Sequence, residues 1–189
     1  MPRSALWEWW QHPDADNQPE GYLDAPERTA FLVDLVERLV PKGSSVLEIG
    51  CNVGRNLAGL AVAGYGPLSG VEINPRAVSI LRRTQPEVWV VEAPAESVMH
   101  IFGDDVFDLV FTMAVLEHLH PSSEFVFAEM ARIAPMVITI EDEVGVTPHH
   151  CPRNYAVEFD AVGMRMAEAI DCSHVEGLGP DFMARVFVR

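Results

Sequence analysis

The sequence predicts an α/β fold: a mostly parallel β-sheet with helices on both faces, finished by an antiparallel hairpin. Three observations carry this. Short apolar runs alternate with stretches of helical periodicity, the pattern of strands joined through helices and therefore parallel. The first run, Val46-Leu47-Glu48-Ile49, enters a glycine turn, Gly50-Cys51-Asn52-Val53-Gly54, that opens onto a helix. The last two runs are joined through Gly177-Leu178-Gly179-Pro180. So short a connection forces them antiparallel, because a parallel pair needs a long crossover.

Taken in order, the first two dozen residues read as an irregular aromatic arm, with Trp7, Trp9, Trp10 and Tyr22 among Pro13, Asn17, Pro19 and Gly21. Ala25 to Val40 reads as a helix, since Phe31, Leu32, Leu35, Val36 and Leu39 recur at helical spacing and Pro41-Lys42-Gly43 ends it. Strands are predicted at 45–49, 68–73, 88–91, 107–113 and 136–141. Helices are predicted at 56–63, 75–84, 122–133 and 154–162, with Pro75 suited to a first helical turn and Gly64 and Gly163 to helix ends. The terminal strands fall at 167–172 and 182–188. The expected organisation is one domain over 1–189, with 1–24 as an arm or lid.

Composition excludes several partners. The net charge is −15, and Lys42 is the only lysine. A protein that binds a phosphate backbone displays a basic patch, and the arginines here are dispersed. No nucleic acid and no membrane partner is expected; a small molecule fits better, acted on by a monomer or homodimer. No apolar run is long enough for a bilayer, and the N-terminus lacks a signal-peptide core. Cys51, Cys151 and Cys172 form neither a disulfide framework nor a zinc pattern, which suits reduced thiols in the cytoplasm.

The glycines of 50–54 let the chain turn sharply and let a ligand approach the backbone, although an ordinary tight turn has the same pattern. Asn52 stands where a middle glycine is usual, and asparagine tolerates positive φ better than most residues. Glu72 closes the next strand, beside Ile73, where a carboxylate can accept hydrogen bonds from both hydroxyls of a ribose. Glu48 then bears on the ligand. A dinucleotide loop must accommodate a pyrophosphate, whereas a carboxylate just before the loop suits a cationic amino-acid moiety.

These residues resemble the class I S-adenosylmethionine (SAM)-dependent methyltransferases. Residues 46–57 are similar to that family's first motif, and Glu72 matches its ribose-binding acid. Ala95-Glu96 resembles the adenine-contacting segment, with Pro94 where an aspartate is often seen. Residues 107–119 resemble the fourth-strand motif, and the hairpin separates this fold from dehydrogenases. The likeness runs from about Glu20 to Arg189; the segments 17–23 and 152–155 resemble small bacterial, type 11-like members that modify sugars or secondary metabolites. It implies a Rossmann-like, seven-stranded fold with SAM as cofactor, held by Glu48, Gly50, Cys51, Asn52, Gly54, Asn56, Glu72, Ile73, Ala95, Glu96, Met113 and Ala114. Asn56 is the candidate for the methionine carboxylate, with Arg28 as a second.

Acceptor chemistry belongs in the loops beyond the carboxyl ends of the strands. The candidates are His118 after the fourth strand, with Glu141, His149 and His150 after the fifth; a histidine is the usual base near neutral pH. His118 can equally support the cofactor pocket, and Glu141-Asp142-Glu143 can equally be a solvated strand end. Trp9, Trp10 and Tyr22 form either a lid or core packing. Glu117-His118 is similar to part of the metal site of small-RNA 3′-end methyltransferases, but Ala114 stands where that family has another glutamate, so no metal is expected. The shortness of the segment before the first helix implies an acceptor pocket that is shallow or completed by a partner subunit. The implied function is methyl transfer from SAM to a small polar acceptor; the alternatives are a SAM-binding regulatory module and a nucleotide-dependent oxidoreductase.

Overall fold

Strand residues point alternately to the two faces of a sheet, and that alternation sorts this core into two layers. In the computed structural model, which describes residues 1–14, 17–145 and 147–189, β1 (Val46–Ile49) sends Val46 to one face and Leu47 and Ile49 to the other. The first face is covered by α2 (Pro26–Leu39), α3 (Arg55–Val62) and α4 (Pro75–Thr84) through Leu32, Leu35, Leu57, Leu60, Val78 and Leu81. The second is covered by α5 (Ala95–Val98), α6 (Phe125–Ile133) and α7 (Tyr155–Ala161), with Val126, Phe127, Met130 and Phe159 at its centre.

The remaining strands are β2 (Leu68–Glu72), β3 (Trp89–Glu92), β4 (Leu109–Met113), β5 (Met136–Asp142), β6 (Arg165–Asp171) and β7 (Phe182–Val188). They form one seven-stranded sheet in the order β3-β2-β1-β4-β5-β7-β6. The pairs among β1 to β5 are parallel, while β7 runs antiparallel between β5 and β6. Strand order reverses between β1 and β4, and the crevice beyond their carboxyl ends is where such sheets bind ligands.

Local chemistry sets the element boundaries. Asn74 caps α4 by accepting from the N–H groups of Arg76 and Ala77 at 2.9 and 3.2 Å, with Pro75 in the first turn. Gly54, at φ 80°, starts α3, and a side chain there would meet Gln85 Nε2 at 2.6 Å. β4 begins two residues later than its apolar run suggests, because the Asp108 carboxylate turns back to accept the Ser45 N–H at 2.7 Å.

The largest correction lies at the N-terminus. The expected irregular arm is instead helical over Arg3–Gln11 (α1), followed by a 3₁₀ turn at Pro19–Tyr22; residues 15 and 16 of that arm lie outside the described residues. No side chain caps α1. A helix this short is marginal alone and is held by tertiary packing, here through Leu6 and its tryptophans. Among the described residues no helix is long and apolar enough to cross a membrane.

Candidate functional site

A cavity of about 490 Å³ opens beyond the carboxyl ends of β1, β2 and β4, where the topology places a ligand. One half is built from the β1 turn. The N–H groups of Gly50 and Cys51 both donate to Val71 O, at 2.7 and 3.1 Å, which ties the turn to β2. Gly50 has φ 73°, and a side chain there would run into Val115. Asn52 adopts φ 46°, and its N–H donates to Glu72 Oε2 at 2.8 Å. Glu72 Oε1 accepts the Asn74 N–H at 2.7 Å. The carboxylate is thus pinned from two sides, and each oxygen keeps lone-pair capacity for a ligand hydroxyl. Glu72 is only 6% exposed, and burial raises its pKa above the ordinary carboxylate value.

Glu48 stands beside it at 2% exposure. A relay fixes its geometry: Arg55 Nε donates to Thr29 Oγ1 at 3.0 Å, Thr29 donates to Asn56 Oδ1 at 3.1 Å, and Asn56 Nδ2 donates to Glu48 Oε1 at 2.8 Å. Glu48 Oε2 is buried without a partner. Burial pushes this carboxyl up to about 8. A buried carboxylate with an unsatisfied oxygen on a cavity wall is costly unless a cationic donor meets it. That orphaned atom is the test of whether the cradle fits SAM, and the ammonium of a methionyl group would satisfy it.

Twelve residues carry the sequence-level cofactor expectation, and the cavity is lined by all but one. Gly54 is the exception; it turns the chain and lets α3 pack on Gln85 and Leu81. Asn56 lines the cavity, but its amide is engaged by Glu48, Thr29 and Arg55, so it positions Glu48 instead of offering a free group to a carboxylate. Arg28 also lines the cavity, and its Nε has no partner. Glu96 accepts from Ser123 Oγ at 3.1 Å. Ala114 holds φ 57°, a strained value for a residue with a Cβ.

Glu141 explains how that strain is held, and its assignment as a catalytic candidate is corrected. It is fully buried and does not line the cavity. Its Oε1 accepts from Thr112 Oγ1 at 2.6 Å, and its Oε2 accepts the N–H groups of Val115 and Leu116 at 2.8 and 2.9 Å. It clamps the turn after β4 from beneath. Arg153 stitches the same turn from outside, donating to the carbonyls of Leu116, Leu119 and His120 at 2.8–3.0 Å. Residue type alone does not show either role.

The other half of the cavity is aromatic and imidazole. Trp9 stacks on His149 with centroids 4.1 Å apart and planes at 19°, and Trp10 tilts over His118 at 4.4 Å. His118 Nδ1 lies 3.1 Å from the His149 carbonyl, and the His118 and His150 rings are 4.7 Å apart. Burial holds the His118 pKa down to about 4, so the ring is neutral at pH 7. The three histidines expected at the acceptor end therefore lie together, with α1 as the wall. That helix supplies the side of the pocket that the short N-terminal segment was expected to lack. The expectation of no metal rested on Ala114, but Glu117, His118 and His150 converge here, a point taken up below.

Topology and terminal hairpin are those of the class I SAM-dependent methyltransferase fold. Residues 47–135, just under half of the chain, match the family model described as a methyltransferase domain. The chain is similar to the methyltransferase GfsG of Streptomyces halstedii, 28% identical over 131 residues. That alignment covers 62% of this chain and 47% of the relative, so the chain spans about half of its length. Among solved structures, magnesium protoporphyrin IX methyltransferase of Synechocystis PCC 6803, with bound S-adenosylhomocysteine (SAH), superposes with a TM-score of 0.77 at 16% identity, covering 99% of both chains. A Haloferax volcanii structure described as a complex between the Trm112 methyltransferase activator and the putative methyltransferase gives 0.76 at 17% identity, covering 100% of this chain and 99% of that one. At these identities the structural likenesses carry the fold.

Proposed function

We propose that this chain transfers the methyl group of SAM to a small polar acceptor of the sugar or secondary-metabolite type, giving SAH. The observation that carries the reading is one cavity with two unlike halves: the carboxylate cradle of Glu48 and Glu72, and a facing wall of Trp9, Trp10, His118, His149 and His150. The structural likeness to a porphyrin methyltransferase supports a small-molecule acceptor. So does the net charge of −15, which disfavours a polyanion. Three unpaired cysteines fit a reducing, cytoplasmic setting.

SAM when bound supplies an electrophilic methyl on a sulfonium. The chain's own work is to hold and orient. Glu72 accepts from the ribose, Glu48 meets the ammonium, and the backbone at Ala95 and Ala114 borders the cofactor. The tryptophans exclude water and confine a ring-sized acceptor against the imidazoles. His118 lines the acceptor half with its Nδ1 proton committed to the His149 carbonyl.

Incubation of the purified chain with methyl-labelled SAM and a panel of hydroxylated small molecules is expected to label at least one of them, with SAH formed in equal amount. Label appearing only in nucleic acid or protein from an added extract would contradict the small-acceptor reading.

A further inference from the structure

Glu117 and His118 follow β4, and His150 follows β5, yet one donor atom from each lies within 4.8 Å of the others. Nε2 of His118 is 3.5 Å from Glu117 Oε1, and Nε2 of His150 is 3.6 Å from the same oxygen. These separations are too long for good hydrogen bonds. They match another geometry: donors about 2.1 Å from a tetrahedral zinc ion stand roughly 3.4 Å apart.

Two of the three donors are oriented from behind, and the Nδ1 of the third, His150, is buried without a partner. A carbonyl oxygen only accepts, so the 3.1 Å contact between His118 Nδ1 and His149 O puts the ring proton on Nδ1 and a lone pair on Nε2. A histidine that ligates a metal usually donates its other ring N–H in this way. Glu117 Oε2 accepts the Asp142 N–H at 2.5 Å, which leaves Oε1 turned to the imidazoles. Glu117 is 4% exposed at its side chain, while the two imidazoles, at 16% and 17%, reach the cavity they line. The carboxylate is the buried anchor and the histidines are the open rim.

The geometry points to a divalent-cation site formed by Glu117 Oε1, His118 Nε2 and His150 Nε2, with its remaining coordination position open to the acceptor half of the cavity. Two imidazoles and one carboxylate suit zinc, cobalt or manganese better than magnesium or calcium, which prefer an all-oxygen shell. The role of the cation, holding an oxygen of the acceptor, rests on the methyl-transfer reading above; its binding does not.

The test uses the full chain, stripped with a chelator and titrated calorimetrically with Zn²⁺, with Co²⁺ followed by visible absorption and SAH titrated in parallel. One equivalent of Zn²⁺ is expected at micromolar or tighter affinity, with Co²⁺ bands of tetrahedral intensity. His150→Ala, His118→Ala and Glu117→Gln are each expected to weaken Zn²⁺ by about tenfold or more, as loss of even an outer-shell partner commonly does. His120→Ala, whose imidazole bonds Ser122 instead, is expected to bind as the parent does. SAH affinity reports whether each variant is folded. Substoichiometric Zn²⁺ binding, or an affinity unchanged in all three ligand variants, would overturn the site. SAH binding without Zn²⁺ binding would remove the cation and leave the methyl-transfer reading standing; Zn²⁺ binding without SAH binding would do the reverse.

Discussion

Glu72→Ala is expected to lower SAH affinity by about a hundredfold or more. The side chain accepts the Asn52 and Asn74 N–H groups at 2.8 and 2.7 Å and, in the proposed complex, would accept the ribose hydroxyls as well. Hydrogen bonds to a charged group contribute about 1.5–3 kcal/mol each, so losing two ribose contacts accounts for the expected loss before any rearrangement of the turn. Asn52 sits at φ 46°, and without the carboxylate nothing holds its N–H toward β2. Glu72→Gln is expected to be intermediate, because an amide oxygen replaces only one of the two acceptors. Calorimetry with SAH, with thermal unfolding as the control for folding, measures this; a folded Glu72→Ala protein binding within about threefold of the parent would refute the ribose assignment.

Glu48 gives the second large effect, read in pH. Its pKa is about 8 in the ligand-free fold, above its ordinary value of 4.5, because burial penalises the anion. Between those values the folded chain holds a proton that the unfolded chain has lost. Glu48 therefore contributes stability that is fully present below about pH 4.5 and is lost as pH rises through about 8. A cationic ligand reverses the preference, since the SAH ammonium favours the carboxylate. SAH binding at pH 7 is expected to release close to one proton, and affinity is expected to rise by up to about tenfold per unit from pH 6 to 8. Calorimetry at pH 7 in two buffers of different ionisation enthalpy measures the proton directly. In Glu48→Gln both the release and the slope are expected to disappear. A parent protein that releases no proton and binds equally at pH 6 and 8 would place the ammonium elsewhere.

The parts of the fold legible in the sequence were those set by local chemistry: the glycine turn after β1, Asn74 and Pro75 opening α4, and the short link before β7. The parts that were not depend on distant partners. α1 has no capping side chain, and its tryptophans find their packing only against the cavity and its histidines. Glu141 reads as a strand-end carboxylate in sequence. The parallel register that sets Met113 beside Ile140 places it, one residue further on, under the turn after β4, where backbone N–H groups fill its lone pairs. Gly50 and Gly54 look equivalent in the motif, yet only the first borders the ligand space, while the second faces Gln85 and Leu81. The meeting of Glu117 and His118 with His150 joins two loops, and no spacing within either one announces it.

The central claim is that the cavity beyond β1, β2 and β4 is a SAM site, and calorimetric titration of the purified chain with SAH, with NAD in parallel, tests it most directly. Micromolar binding of SAH at one site, abolished in Gly50→Arg, with no binding of NAD, is the expected result. Binding of NAD without binding of SAH would contradict it.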